Sequence, residues 1–146
     1  MTDGPWVIDS SVLAKVYLKD EEFAGVAQRL FEGSVELVAP QVILYEIPSA
    51  IQAAVRRNRL DPEAALAALS DFISLRLPTL GDPATLPDMV RMAYIRAMEL
   101  GRRVYDALYV VAAEAIGGRL ITADANLYET IKDRVHDAVW IADYES

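Results

Sequence analysis

No cysteine occurs among the 146 residues, and there is a single histidine, His136. The first absence excludes a disulfide framework, a thiolate zinc site and thiol catalysis. The second argues against a Ser/His/Asp or Cys/His hydrolase, because His136 stands in a polar setting near the C-terminus and is expected at the surface. Neither GxGxxG nor GxxxxGK(S/T) is present, so a nucleotide-cradling loop has no support. No apolar run is long enough to span a bilayer. The first residues carry Asp3 but neither a basic segment nor a long apolar stretch, so no signal peptide and a cytoplasmic location are expected. Positive charge is also scarce: 14 Lys and Arg against 22 Asp and Glu give a net charge of −8. Such a balance argues against nonspecific adhesion to nucleic acid, which depends on cations displacing the counterions of phosphate. A bound divalent ion would reverse that field locally. The runs Arg56-Arg57-Asn58-Arg59 and Arg102-Arg103 read either as solvated helix ends or as phosphate contacts.

What is present is an ordinary globular composition, 53% hydrophobic and 25% charged, in a chain long enough to bury a core without staples. Residues 6–8 form a short apolar run, and Val12, Leu13, Val16 and Tyr17 follow at helical spacing. A second helix is expected from about Glu21 to Glu32 and a strand from Val35 to Ala39, closed by Pro40. A long apolar helix should run from Gln41 to about Arg57, with Pro48 kinking or tightening it. Asp61 and Pro62 start another, as cap and first helical residue, reaching about Ile73. Leu75-Arg76-Leu77 reads as a third strand, and Gly81-Asp82-Pro83 as loop. Helices follow over Leu86–Leu100 and Arg102–Ile116, the latter apolar on nearly every side and so buried. Strands at Arg119–Thr122 and Ala138–Ile141 flank a short helix from Asp124 to about Lys132. Short apolar strands alternating with helices predict an α/β fold, a three-layer α/β/α sandwich around a mainly parallel sheet of about five strands. No linker, repeat or low-complexity tract divides the chain, so one domain over residues 1–146 is expected.

Four acidic residues stand apart from the solvated majority. Glu46 shares its helical face with Val42, Ser49 and Ala53, where an unpaired carboxylate would incur a desolvation cost of several kcal/mol. It needs a cation, a shifted pKa or an arginine from another helix. Asp106 lies in the first turn of the most apolar helix; the helix dipole accounts for its position, and Arg102 or Arg103 could pair with it. Asp9 and Asp124 sit just beyond two strand ends, where each could be an N-cap or a site residue. Ligands gather at the carboxyl ends of strands in open parallel sheets, which favours the second reading. Four carboxylates brought together cannot all stay ionised without a counter-charge, and Mg²⁺ or Mn²⁺ suits an all-oxygen set better than zinc. Paired ions roughly 4 Å apart hydrolyse phosphodiesters without any catalytic histidine.

The ordered segments Val7-Ile8-Asp9-Ser10-Ser11-Val12-Leu13, Tyr45-Glu46-Ile47-Pro48-Ser49-Ala50-Ile51, Tyr105-Asp106-Ala107-Leu108-Tyr109-Val110-Val111-Ala112 and Leu120-Ile121-Thr122-Ala123-Asp124 resemble the PIN-domain nucleases, especially the VapC toxins of bacterial and archaeal toxin–antitoxin pairs. The resemblance spans nearly the whole chain. It implies a Mg²⁺- or Mn²⁺-dependent endoribonuclease acting on cellular RNA, a homodimer, and a cognate antitoxin that covers the pocket. By position it makes Asp9, Glu46, Asp106 and Asp124 the metal ligands or acidic site residues, with Ser10 and Thr122 as supporting hydroxyls. Asn126 stands where some members place a further acid, and Ser49 where many carry asparagine. The first departure and the acidic net charge keep a rival open: a PIN-like module that binds RNA or protein without cleaving.

Overall fold

The computed structural model describes residues 4–82, 84, 86–135 and 137–145. Five strands and seven helices alternate along it: β1 (Trp6–Ile8), α1 (Ser10–Tyr17), α2 (Ala24–Glu32), β2 (Leu37–Pro40), α3 (Ile43–Arg56), α4 (Pro62–Leu75), β3 (Thr79–Leu80), α5 (Leu86–Leu100), α6 (Val104–Ile116), β4 (Leu120–Thr122), α7 (Ala125–Ile131) and β5 (Ala138–Trp140). The strands form one sheet in the order β3-β2-β1-β4-β5, and every pairing is parallel. The expected α/β class and five-stranded parallel sheet are therefore present.

Parallel strands need helical crossovers, which cover the sheet and turn its inner strands into continuous apolar runs. Accordingly Val7, Ile8, Leu120 and Ile121 are fully buried. Each such side chain contributes roughly 1.5–3 kcal/mol by leaving water. Helix α1 packs on α2 and α3, and α3 on α4; α6 lies against β1, β2 and β4 and carries α5 on its outer side. Small residues, Ala93 and Ala97 on α5 and Ala107 on α6, let these two helices approach closely.

The strand order reverses between β1 and β4. The chain builds outward from β1 through β2 to β3, then returns across the sheet to lay β4 on the other side of β1. A crevice opens at such a switch point, above the carboxyl ends of the two central strands. Asp9 follows β1 directly and Asp124 stands two residues beyond β4.

Some boundaries differ from expectation. Leu75-Arg76-Leu77 is not a strand: Leu75 ends α4, Arg76 closes it in the left-handed conformation (φ 51°), and the strand comes later, at Thr79–Leu80. The three-residue alternation fits either period, but Leu75 lies three residues beyond the buried Phe72 and stays on its helical face. Helix α2 starts at Ala24 rather than near Glu21, and α6 at Val104 rather than Arg102. Helix α3 continues through Pro48. The expectations for Pro83 and His136 lie outside the described residues.

Gly118 sets the approach of β4 to β1. A Cβ there would fall within hard-contact distance of the backbone oxygen of Pro5, which cannot rotate away. Gly118→Ala is therefore expected to destabilise the fold by roughly 1–3 kcal/mol, as other overpacked sites do; a urea melt measures it.

Candidate active site

The switch point holds an open cleft of about 790 Å³ lined by residues of every expected motif, Asp9, Ser10, Glu46, Asp106 and Asp124 among them. The structure thus brings together four carboxylates separated by as many as 115 residues of chain.

Asp9 is the deepest, with only 5% of its surface exposed. It occupies the N-cap position of α1 in extended backbone, yet its side chain makes no capping bond. Its Oδ2 instead accepts hydrogen bonds from the hydroxyls of Ser11 (2.5 Å) and Thr122 (2.8 Å). Those hydroxyls are held in turn, since Ser11 Oγ accepts from the amide of Ala123 and Thr122 Oγ1 from the amide of Asp124. The β1 and β4 ends are thereby stitched together around one carboxylate. Burial pushes the Asp9 pKa up from 3.8 to about 6; the two hydroxyls oppose the rise, and the charges of Glu46 and Asp106 add to it.

Glu46 projects from the first turn of α3 and is half-buried. Val42, Ser49 and Ala53, which share its helical face, form the cleft wall beside it. Its Oε1 accepts a 2.6 Å hydrogen bond from the Tyr109 hydroxyl. Burial raises its pKa, while the hydroxyls of Tyr109 and Ser10 oppose the rise; the charge of Asp106 adds to it and that of Arg103 works against it. Tyr109 is itself held well above the usual phenol range, by burial first and then by the charges of Asp9 and Glu46, so it stays a donor. No arginine from another helix forms an ion pair with Glu46 among the described residues.

Asp106 and Asp124 are met differently. The Arg102 guanidinium lies 3.1 Å from Asp106 Oδ2 and 3.7 Å from Asp124 Oδ2, and the exposed Arg103 lies 3.6 Å from Asp106 Oδ1. The arginine pairing weighed for Asp106 is therefore present, and Asp124 is also a true cap, its Oδ1 accepting from the Leu127 amide at 3.0 Å.

Ser10 lines the cleft and Thr122 donates to Asp9; Ser11 and Tyr109 were not singled out from the sequence, whereas Arg102 was noted as a partner for Asp106 but not for Asp124. Ser11 sits one residue from Ser10, so either could have been chosen. Tyr109 shares its helix with a second tyrosine, Tyr105, and nothing in the local pattern sets it apart. Asn126 is exposed on α7 and is not part of the cleft lining. Of the basic runs, Arg57, Arg59 and Arg103 line the cleft, but Arg59 is held by Asp20 and Glu21.

A hard divalent cation fits this donor set. The ligands are all oxygen, Asp9 and Glu46 have only hydroxyl partners, and Asp106 Oδ2 is buried with no hydrogen-bond donor despite the nearby guanidinium. Among the described residues no three carboxylates are already drawn together closely enough to hold an ion.

The sequence model of the PIN domain family matches residues 6–132. The chain belongs to the PIN domain family. Ribonuclease VapC3 of Pyrobaculum aerophilum is 30% identical over 127 residues, 84% of this chain and 92% of that protein. The crystal structure of PAE2754 from the same organism superposes with a TM-score of 0.68 at 25% identity, covering 96% of this chain and 91% of the other. Mycobacterium tuberculosis VapC20, described as a sarcin-ricin loop cleaving toxin, gives a TM-score of 0.61 at 19% identity, covering 85% and 93%. VapBC2 of Rickettsia felis, bound to a promoter DNA fragment, gives 0.60 at 14% identity, covering 92% and 96%. The last two are likenesses of fold. The PIN family match spans all four carboxylates.

Proposed function

We propose that this PIN-domain chain is a Mg²⁺- or Mn²⁺-dependent endoribonuclease and the toxin of a toxin–antitoxin pair, with Asp9, Glu46, Asp106 and Asp124 as its acidic site. The single observation that carries the chemistry is Asp9. A carboxylate buried at the switch point, not used as a cap and facing two further carboxylates, has no structural purpose that a neutral residue would not serve better. The ribonuclease reading draws on the likeness to VapC3, and a cognate antitoxin on the same likeness.

A bound divalent ion would supply charge neutralisation at the phosphodiester and an activated water for attack on phosphorus. The chain's own residues do the rest. Ser11 and Thr122 fix the Asp9 carboxylate as an acceptor, and the buried Tyr109 orients Glu46 through its hydroxyl. Arg57 and Arg103, exposed on the cleft wall, offer guanidiniums to the flanking phosphates, which answers the unfavourable net charge locally. The alternative of a non-cleaving module rests on the net charge of −8 and on Asn126, which is exposed on α7 and is not part of the cleft lining.

A homodimer is supported by α5, where Val90, Tyr94 and Met98 recur every fourth residue and are 56%, 59% and 69% exposed. Among the described residues no helix is long and apolar enough to cross a membrane. We place the activity in the cytoplasm, where cellular RNA is the substrate.

Parallel assays on RNA, DNA and a chromogenic phosphodiester test the substrate: cleavage of RNA alone is expected, and equal cleavage of DNA overturns the ribonuclease reading. Tyr109→Phe removes a donor that favours ionised Glu46, so its pKa rises further. The acidic limb of the pH–rate profile should then move to higher pH, read from initial rates between pH 4 and 8 (a range set by the usual carboxylate titration and its upward shift).

A further inference from the structure

We propose that Arg102 takes the part of a second cation, so that the pocket of this chain binds one divalent ion rather than two. The inference rests on the reading of the cleft as a metal site and concerns its stoichiometry.

The position of Arg102 is set by the end of α5. Gly101 is in the left-handed conformation (φ 64°) and the Arg102 amide donates to the carbonyl of Ala97, the six-to-one bond of a Schellman closure. The side chain that follows is directed to both Asp106 on α6 and Asp124 beyond β4. The guanidinium is permanently charged and planar. It is only 22% exposed and is not part of the cleft lining, so it approaches the carboxylates from within the wall. The oxygen it meets on Asp106 is the buried one, and its own Nε is buried without a hydrogen-bond partner. An arginine held this way is retained for its charge rather than for ideal hydrogen bonding.

The four carboxylates are therefore divided. Asp106 and Asp124 have a built-in cation, whereas Asp9 and Glu46 have only hydroxyl donors. Asp9, Glu46 and Asp106 Oδ1, which meets only the exposed Arg103 at 3.6 Å, are left for one divalent ion. Arg102 is thus a positioning residue that fixes the metal count.

The test is Mn²⁺ titration of the full chain without nucleic acid, followed by calorimetry and by electron paramagnetic resonance of the free ion. One Mn²⁺ per chain is expected in the wild type, in Arg102→Lys and in Arg103→Gln, which removes an equal charge from the cleft mouth. Two are expected in Arg102→Gln. Two ions in the wild type, or one in a folded Arg102→Gln, overturn the proposal; should Arg102→Gln fail to fold, the wild-type and Arg102→Lys counts decide it. Zero ions in every protein would instead sink the metal-site reading itself, a result distinct from a count of two.

Discussion

Replacing Asp106 by asparagine is expected to reduce RNA cleavage more than about 100-fold, since even outer partners of a metal site are worth 10- to 100-fold. The substitution keeps the shape of the side chain and removes its charge. Asp106 is the one carboxylate that touches both halves of the site: its field raises the pKa of Asp9 and Glu46, and its own oxygens meet Arg102 and Arg103. Losing that charge leaves Arg102 with Asp124 alone at 3.7 Å. A modest loss of stability, roughly 1–3 kcal/mol, should accompany the loss of activity. Cleavage assays paired with circular dichroism separate the two effects, and a folded variant that still cuts RNA at the wild-type rate removes Asp106 from the site.

Asp9→Asn should have the opposite effect on stability. The carboxyl of Asp9 has a folded pKa of about 6 against an ordinary 3.8, so the folded state holds its proton more tightly than the unfolded chain. The contribution of Asp9 to stability is then fully present below about pH 4, is lost as pH rises through 6 and is level above that. The full shift corresponds to roughly 3 kcal/mol of strain in the metal-free protein at neutral pH. Asparagine at position 9 accepts the same bonds from Ser11 and Thr122 through its oxygen and carries no charge. At pH 7.5 in chelator the variant should melt several degrees above the wild type, about 2–4 °C per kcal/mol for a chain of this size. The advantage should vanish near pH 3.5, where both proteins are neutral at this position. Added Mg²⁺ should stabilise the wild type and not the variant. A metal-free variant less stable than the wild type at pH 7.5 contradicts the burial account of Asp9.

Much of this site could be read from the residues, but not evenly. Glu46 was legible because a helical wheel places it among Val42, Ser49 and Ala53, and those residues do form one wall. Asp9 and Asp124 looked alike in sequence, each an aspartate after a strand. Only the tertiary structure separates them: Asp124 caps α7 while Asp9 caps nothing and is stitched to β4 through Thr122. Contacts between residues more than a hundred positions apart leave no trace in local spacing. The same holds for Tyr109, whose hydroxyl reaches a helix 63 residues away. The parallel sheet was legible from its apolar strands, whereas β3 was not, because two residues of pairing carry too little pattern to outweigh a helix running into them.

The central claim is that these carboxylates act through a divalent ion on RNA. Cleavage of an RNA substrate by the purified chain, with Mg²⁺ or Mn²⁺ and then with excess EDTA, tests it most directly. Cutting is expected to depend on the ion, to disappear in EDTA and to return when the ion is restored. Undiminished cutting in EDTA would contradict it.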